Sequence, residues 1–191
     1  MKRCFVIVAL IVLLTATLLA FRPAEIYLPS LSYRVYYNHD TIIWNSIEES
    51  TVATVLRVVD GDTIKVITDD GTETLRLIGV DTPETVHPNK DVEFYGPEAS
   101  AFTKTVLYEG RTIWLTFGEE KRGYYGRLLC YVWIYYKKAA FVHFNSMLIL
   151  NGFSEAYLKY DFDPFFMEEF KKAQHWAEDM ELGMWKREPG E

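Results

Sequence analysis

Cysteine is nearly absent from this chain of 191 residues, which contains only Cys4 and Cys130. Cys4 lies in an apolar run and Cys130 in a strand pattern, so no disulfide framework is expected to staple the fold. No cysteine pair has metal spacing, and the four histidines (His39, His87, His143, His175) are scattered. A zinc site of the usual thiolate and imidazole kind is thereby excluded, and each histidine reads as a surface or packing residue. Positive charge is also short: 20 basic against 27 acidic groups leave a net charge of −7. The first 50 residues carry four groups of each sign, so the acidic surplus falls entirely on the remainder. Overall charge does not draw such a domain to nucleic acid, and any binding there must rest on a local positive cleft. There are no internal repeats and no low-complexity segment.

One long apolar run is present. Lys2 and Arg3 precede 18 uncharged positions from Cys4 to Phe21. A signal-peptide core usually has about 7–15, and a helix needs roughly 18–20 to cross a bilayer. Leu18-Leu19-Ala20 also makes a poor cleavage site. Residues 1–21 therefore read as an N-terminal membrane anchor, with a cleaved signal peptide as the alternative. Either places the rest of the chain outside the cytoplasm, because Lys2 and Arg3 hold the N-terminus inside. Localisation is expected to be membrane-anchored with an extracytoplasmic domain, or secreted after cleavage. Residues 22–50 contain Pro23, Pro29 and several tyrosines without a sustained period, and read as a juxtamembrane stalk. Residues 51–186 form the folded domain, and 187–191 a tail.

From Thr51 the pattern turns to strands. Val52 to Val59 is rich in β-branched residues, and Thr63 to Thr68 alternates. Asp69-Asp70-Gly71 signals a hairpin, and Glu73 to Val80 returns. Arg111 to Phe117 and Gly126 to Tyr136 make five strands. In the last, Leu128, Cys130, Val132 and Ile134 share one face, with Arg127 on the other. Three helices follow the same logic. Pro97 opens one with Ala99, Phe102 and Val106 on a stripe and Gly110 beyond it. A second carries Phe141, Phe144 and Leu148 and stops near Gly152. The third has Asp163 as N-cap and Pro164 at its first position, with Phe166, Phe170, Ala173, Ala177 and Met180 as its apolar positions.

The chemistry concentrates between Asp60 and Glu84. Asp60-Gly61-Asp62 alone is an ordinary turn sequence. Asp62, however, is in phase with Ile64 and Val66, and so points to the side they bury. A carboxylate there is costly without a partner such as a cation. Arg76, embedded in Leu75-Arg76-Leu77-Ile78, could by itself be a structural ion pair. Asp81-Thr82-Pro83-Glu84 could by itself be an N-cap and turn. With Arg127 from Tyr125-Gly126-Arg127, these residues are the parts for metal-assisted attack on a phosphodiester. Carboxylates hold a hard cation, arginines clamp phosphate oxygens, and a further carboxylate handles water.

In order, the chain shows Val59-Asp60-Gly61-Asp62-Thr63, Arg76 through Thr85, His87-Pro88, Tyr95 through Lys104, Tyr125-Gly126-Arg127 and Met184-Trp185. This succession resembles the staphylococcal-nuclease-like (thermonuclease) family from about Thr51 to Trp185. The resemblance implies an α+β, mainly β fold, a five-stranded OB-fold barrel with three helices, here preceded by the N-terminal apolar helix. It implies a Ca2+-dependent endonuclease that hydrolyses DNA and RNA to 3′-phosphate ends. Asp62 and Asp81 would bind Ca2+ through side chains and Thr82 through its carbonyl. Arg76, Glu84 and Arg127 would be catalytic, with Glu84 handling water and the arginines holding phosphate. Tyr125, Lys90 and Tyr160 would contact substrate. Tyr124 departs from the family pattern, standing where the family's secreted enzyme has a lysine. No protein partner is evident and a monomer is expected. The rival reading is a non-catalytic OB-fold module that binds single-stranded nucleic acid.

Overall fold

The computed structural model describes residues 24–28, 33–37, 49–85, 91–136 and 140–186. The apolar segment 1–21, most of the stretch read as a stalk, Lys90 and the tail 187–191 lie outside the described residues.

Five strands make a closed barrel. They are β3 (Thr51–Asp60), β4 (Thr63–Thr68), β5 (Gly71–Leu77), β7 (Thr112–Thr116) and β8 (Leu128–Tyr136). Four antiparallel pairings give the order β5-β4-β3-β7-β8. A parallel pairing of β5 with β8, Leu75 opposite Leu128 and Leu77 opposite Cys130, joins the ends. Closure removes the sheet edges, as in an OB-fold. The inward set follows the two-residue period of a strand. Ala53, Val55, Ile64, Val66, Leu75, Leu77, Ile113, Leu115, Cys130 and Val132 are all buried. Two register shifts in β3, between Val55 and Arg57 and between Val58 and Asp60, add residues on one side of its ladder with β4. Such bulges bend and twist a strand, which barrel closure requires.

Helix α1 (Gly96–Val106) buries Ala99, Phe102 and Val106. Thr103 Oγ1 donates to the Gly61 carbonyl at 2.7 Å, which ties the helix to the turn after β3. Phe102 stacks on Phe153 with centroids 4.3 Å apart. Helix α2 (Phe144–Leu150) is buried along its whole length. Its Asn145 accepts from the Val132 N–H at 2.9 Å and donates to the Ile78 carbonyl at 3.0 Å, joining β8 to the end of β5. Helix α3 (Pro164–Asp179) begins as the sequence indicates, with the Asp163 carboxylate accepting from the Phe165 N–H at 2.9 Å. Phe166, Phe170, Ala173 and Ala177 form its buried face.

The expected fold class, a mainly β OB-fold barrel with three helices, is the observed one. Several boundaries differ. The return strand breaks after Leu77, and Val80–Asp81 forms a separate strand, β6, paired with β10 (Glu155–Ala156). The break lies at Gly79, whose φ is +70°. A Cβ there would come within 2.4 Å of the Phe170 ring, so only glycine fits. The last barrel strand starts at Leu128, because Gly126 (φ +74°) ends a turn just before it. Phe141 belongs to strand β9 (Ala140–His143) and not to a helix, because it continues the ladder opposite Tyr135. Met180 is the C-cap of α3 and is 47% exposed. Strands β1 (Ala24–Leu28) and β2 (Tyr33–Tyr37) pair antiparallel in the segment that showed no period.

Candidate active site

A cleft of about 340 Å3 opens at one end of the barrel, over the turn between β3 and β4. Arg76 reaches it because β5 alternates. Leu75 and Leu77 are buried in the barrel, so Arg76 between them faces the other way, opposite Thr63 in the ladder. Asp62 lies in the turn just before β4 and is only 2% exposed. The carboxylate receives an ion pair from Arg76, the Thr63 hydroxyl at 2.9 Å and the Thr82 N–H at 3.2 Å. Arg76 also holds Asp81 at 2.7 Å and donates to the Val80 carbonyl at 3.3 Å. One guanidinium therefore bridges two carboxylates that are 19 positions apart in sequence.

Burial pushes the Asp62 carboxyl above its usual range, with Arg76 the main opposing influence. Burial also works against the charge on Arg76, but Asp62 and Asp81 outweigh it and the net direction is up. The guanidinium stays charged at every ordinary pH. Asp81 is aimed by its backbone, whose N–H donates to Ser154 Oγ at 2.9 Å beside the β6–β10 pair.

The segment after β6 brings in the remaining acids. Thr82 packs on Gly61, where a Cβ would come within 2.6 Å of Thr82 Oγ1. Glu84 also lines the cleft, and its Oε1 accepts from the Thr85 N–H at 3.0 Å. Asp60, read from sequence as turn and support, accepts from the Gly61 N–H at 2.8 Å and the Thr85 hydroxyl at 2.6 Å. Burial raises the Asp60 carboxyl, the Thr85 and Gly61 hydrogen bonds oppose this, and the adjacent Glu84 carboxyl adds to it.

Arg127 completes the cleft from the turn before β8. It makes no ion pair among the described residues, and its guanidinium lies 5.7 Å from the Tyr125 ring centroid. The cleft thus holds one arginine engaged with acids and one open to an anionic ligand. Fixed guanidinium donors at such a place stabilise developing negative charge.

The donor atoms are of the oxygen type that suits a hard cation, and Arg76 pairs with both carboxylates. Asp62, Asp81 and Thr82 offer only oxygen, and buried Thr82 Oγ1 has no hydrogen-bond partner among the described residues. No three acidic or imidazole side chains converge at metal spacing among the described residues. Water would therefore fill most of the roughly six to eight positions that calcium prefers.

The cleft brings together Asp62, Arg76, Asp81, Thr82, Glu84 and Arg127. Tyr125 stands beside it on the turn, 78% exposed. Tyr160 is 65% exposed, packs near Tyr157, and does not line the cleft. Sequence reasoning missed Glu93. Its N–H donates to the Glu84 carbonyl at 2.9 Å, and its Oε2 accepts from the Glu84 N–H at 3.0 Å. This closed exchange fixes the Glu84 backbone against Glu93. A lone acid nine residues downstream carries no sequence signal of that kind.

A closed five-stranded barrel with two guanidinium groups and a set of carboxylates at its mouth defines an OB-fold with a charged cleft. The family model described as "Staphylococcal nuclease homologue" matches residues 74–187. The chain is 40% identical over 131 residues to a thermonuclease of Staphylococcus hyicus, covering 69% of this chain and 73% of that protein. A thermonuclease of Staphylococcus intermedius is 41% identical over 133 residues, 70% and 75% of the two chains. The endonuclease YncB of Bacillus subtilis (strain 168) is 33% identical over 135 residues, 70% and 61%. The chain belongs to the family of staphylococcal nuclease homologues.

Proposed function

We propose that this chain is a calcium-dependent endonuclease that hydrolyses phosphodiester bonds of DNA and RNA and leaves 3′-phosphate ends. The observation that carries the reading is Arg127, without an acidic partner among the described residues, facing the same cleft as the Asp62–Arg76–Asp81 bridge. Membership of a family whose members include thermonucleases and endonucleases supports it.

Arg127 and Arg76 receive the non-bridging oxygens of the scissile phosphate. Their donors count most as charge grows on the five-coordinate phosphorus. Glu84 accepts a proton from the attacking water or orients it. The water oxygen bonds to phosphorus, the 5′ oxygen departs and takes up a proton, and the phosphate stays on the 3′ side. Asp62 and Asp81, with Thr82, would hold the calcium ion, which when bound makes the phosphate more electrophilic. Tyr125, Lys90 and Tyr160 are proposed substrate contacts.

Incubating the full chain with plasmid and RNA, with calcium and then with chelator, tests the reading. Cleavage only with calcium, with 3′-phosphate ends by end-group analysis, is expected. A pure, folded protein that never cuts with calcium present would leave the binding-module reading instead. Asp62→Ala is expected to weaken calcium binding, and an unchanged calcium titration would remove it from the ligand set. The N-terminal run further suggests action at the outer side of a membrane, checked by protease accessibility of the domain in intact cells.

A further inference from the structure

Tyr124 and Tyr125 form the tip of the turn that delivers Arg127. Tyr124 is 96% exposed and Tyr125 is 78% exposed. Their rings meet edge to face, 5.2 Å between centroids and 88° between planes. Two adjoining exposed rings form a small apolar patch that a ligand can cover.

The turn that carries them is braced. Gly126 N–H donates to the Gly123 carbonyl at 2.9 Å, and Gly123 N–H to the Arg127 carbonyl at 3.0 Å. Arg122 donates to the Gly126 carbonyl at 2.8 Å and forks onto Glu73 of β5 at 2.6 and 3.1 Å. The tip is thus tied to the barrel wall by a two-point ion pair. Fixing the backbone of the turn in advance lowers the ordering cost of a stack.

Resting on the nuclease reading above, we propose that the Tyr124–Tyr125 tip is a stacking platform for an unpaired base next to the phosphate held by Arg127. It makes Tyr124 a determinant of preference for single strands. Three observations favour a base over a second phosphate. The tip offers aromatic rings and no lysine, and the arginines on either side are committed elsewhere, Arg122 to Glu73 and Arg127 to the cleft. The chain is acidic overall, so long-range attraction contributes little and contact must come from stacking. Arg127 beside the Tyr125 ring sets phosphate and base contacts within one turn. A base inside a duplex has both faces covered by its neighbours, whereas an unpaired base can lie on an aromatic ring.

The test is equilibrium binding of a short fluorescent single-stranded oligonucleotide, and of the same sequence as a duplex, to the full chain in chelator, read by anisotropy. Tyr124→Ser is expected to weaken single-strand binding about tenfold and to move duplex binding less than twofold. Tyr124→Phe should keep the single-strand affinity, since the ring face and not the hydroxyl is used. Replacing one nucleotide at a time by an abasic residue should reproduce the tenfold loss at a single position in the unsubstituted protein, and not in Tyr124→Ser. Equal losses for single strand and duplex, or a Tyr124→Phe variant as weak as Tyr124→Ser, would overturn the proposal. So would unchanged oligonucleotide binding, including the case in which Tyr124→Ser instead loses binding to lipid vesicles. Because nothing is cut in chelator, a chain that binds as described but never cleaves with calcium would sink the nuclease reading and leave the platform standing.

Discussion

At the mouth of the barrel, the buried Asp62 carboxylate meets a guanidinium, a hydroxyl and a backbone N–H. On the outer face of β8, the equally buried His143 sits in an aromatic box. Its ring centroid is 4.5 Å from that of Trp133 and 4.7 Å from that of Phe166. Nδ1 meets Ser146 Oγ at 2.8 Å, and Nε2 has no partner among the described residues. Burial lowers the His143 pKa to about 3, so the ring stays neutral and asks for little. The difference teaches how each region tolerates a polar group. The cleft keeps its charge by pairing it, whereas the aromatic wall removes the charge. Only the first solution leaves fixed charge available for chemistry.

The comparison breaks most readily at Arg76. Arg76→Ala strands a buried carboxylate, and a loss of about 3–5 kcal/mol is expected in urea unfolding. Adding Asp62→Ala should return a substantial part of it. A single variant as stable as the parent would mean that Asp62 is satisfied without its arginine.

Arg127→Ala removes a guanidinium that no acid of the described protein needs. Activity should fall about 10²–10³-fold while the circular dichroism spectrum and melting temperature stay as they were. An unfolded variant would make Arg127 a structural residue.

His143 sharpens the contrast through pH. Its folded pKa lies below the unfolded value of 6.5, so the unfolded state takes up the proton first. The contribution is complete above about pH 6.5 and is lost as pH falls towards 3. At pH 5 the loss is about 2 kcal/mol relative to pH 7.5. Paired urea titrations of the parent and His143→Gln should show a smaller decline between these pH values in the variant. Parallel declines would place the acid sensitivity elsewhere.

The smallest effect concerns Glu93. Glu93→Ala frees the Glu84 backbone N–H to water, and a drop of about fivefold in kcat is expected, from a hydrogen bond of about 1 kcal/mol. KM should hold, and Glu93→Gln, which keeps an acceptor, should restore most of the rate. A KM change with constant kcat would recast Glu93 as a binding residue.

Much of the barrel was legible because alternation is local. Thr63 to Thr68 and the Asp163–Pro164 helix start need only their own residues to be read. The double burial of β8 was not legible. Tyr131 and Trp133 alternate with the inward set and share the face of Arg127, yet both are buried, because α3 lays Phe166 against that face. Phe141 fits a helical stripe as well as a strand, and its ladder with Tyr135 decides between them. For the site, Asp62 was legible from its phase with Ile64 and Val66, while Glu93 was not, since one backbone and one side-chain hydrogen bond to Glu84 leave no pattern in the chain.

The sequence by itself determined the oxygen-rich donor set, the two arginines, the strand alternation and the acidic balance, because each resides in residue type and short-range spacing. Only the tertiary structure decided that one guanidinium spans Asp62 and Asp81, that Arg127 faces the same cleft without an acid beside it, and that Glu93 pins Glu84. Those relations depend on barrel closure through the β5–β8 pairing. Closure brings together residues about 50 positions apart, which no local interaction can set.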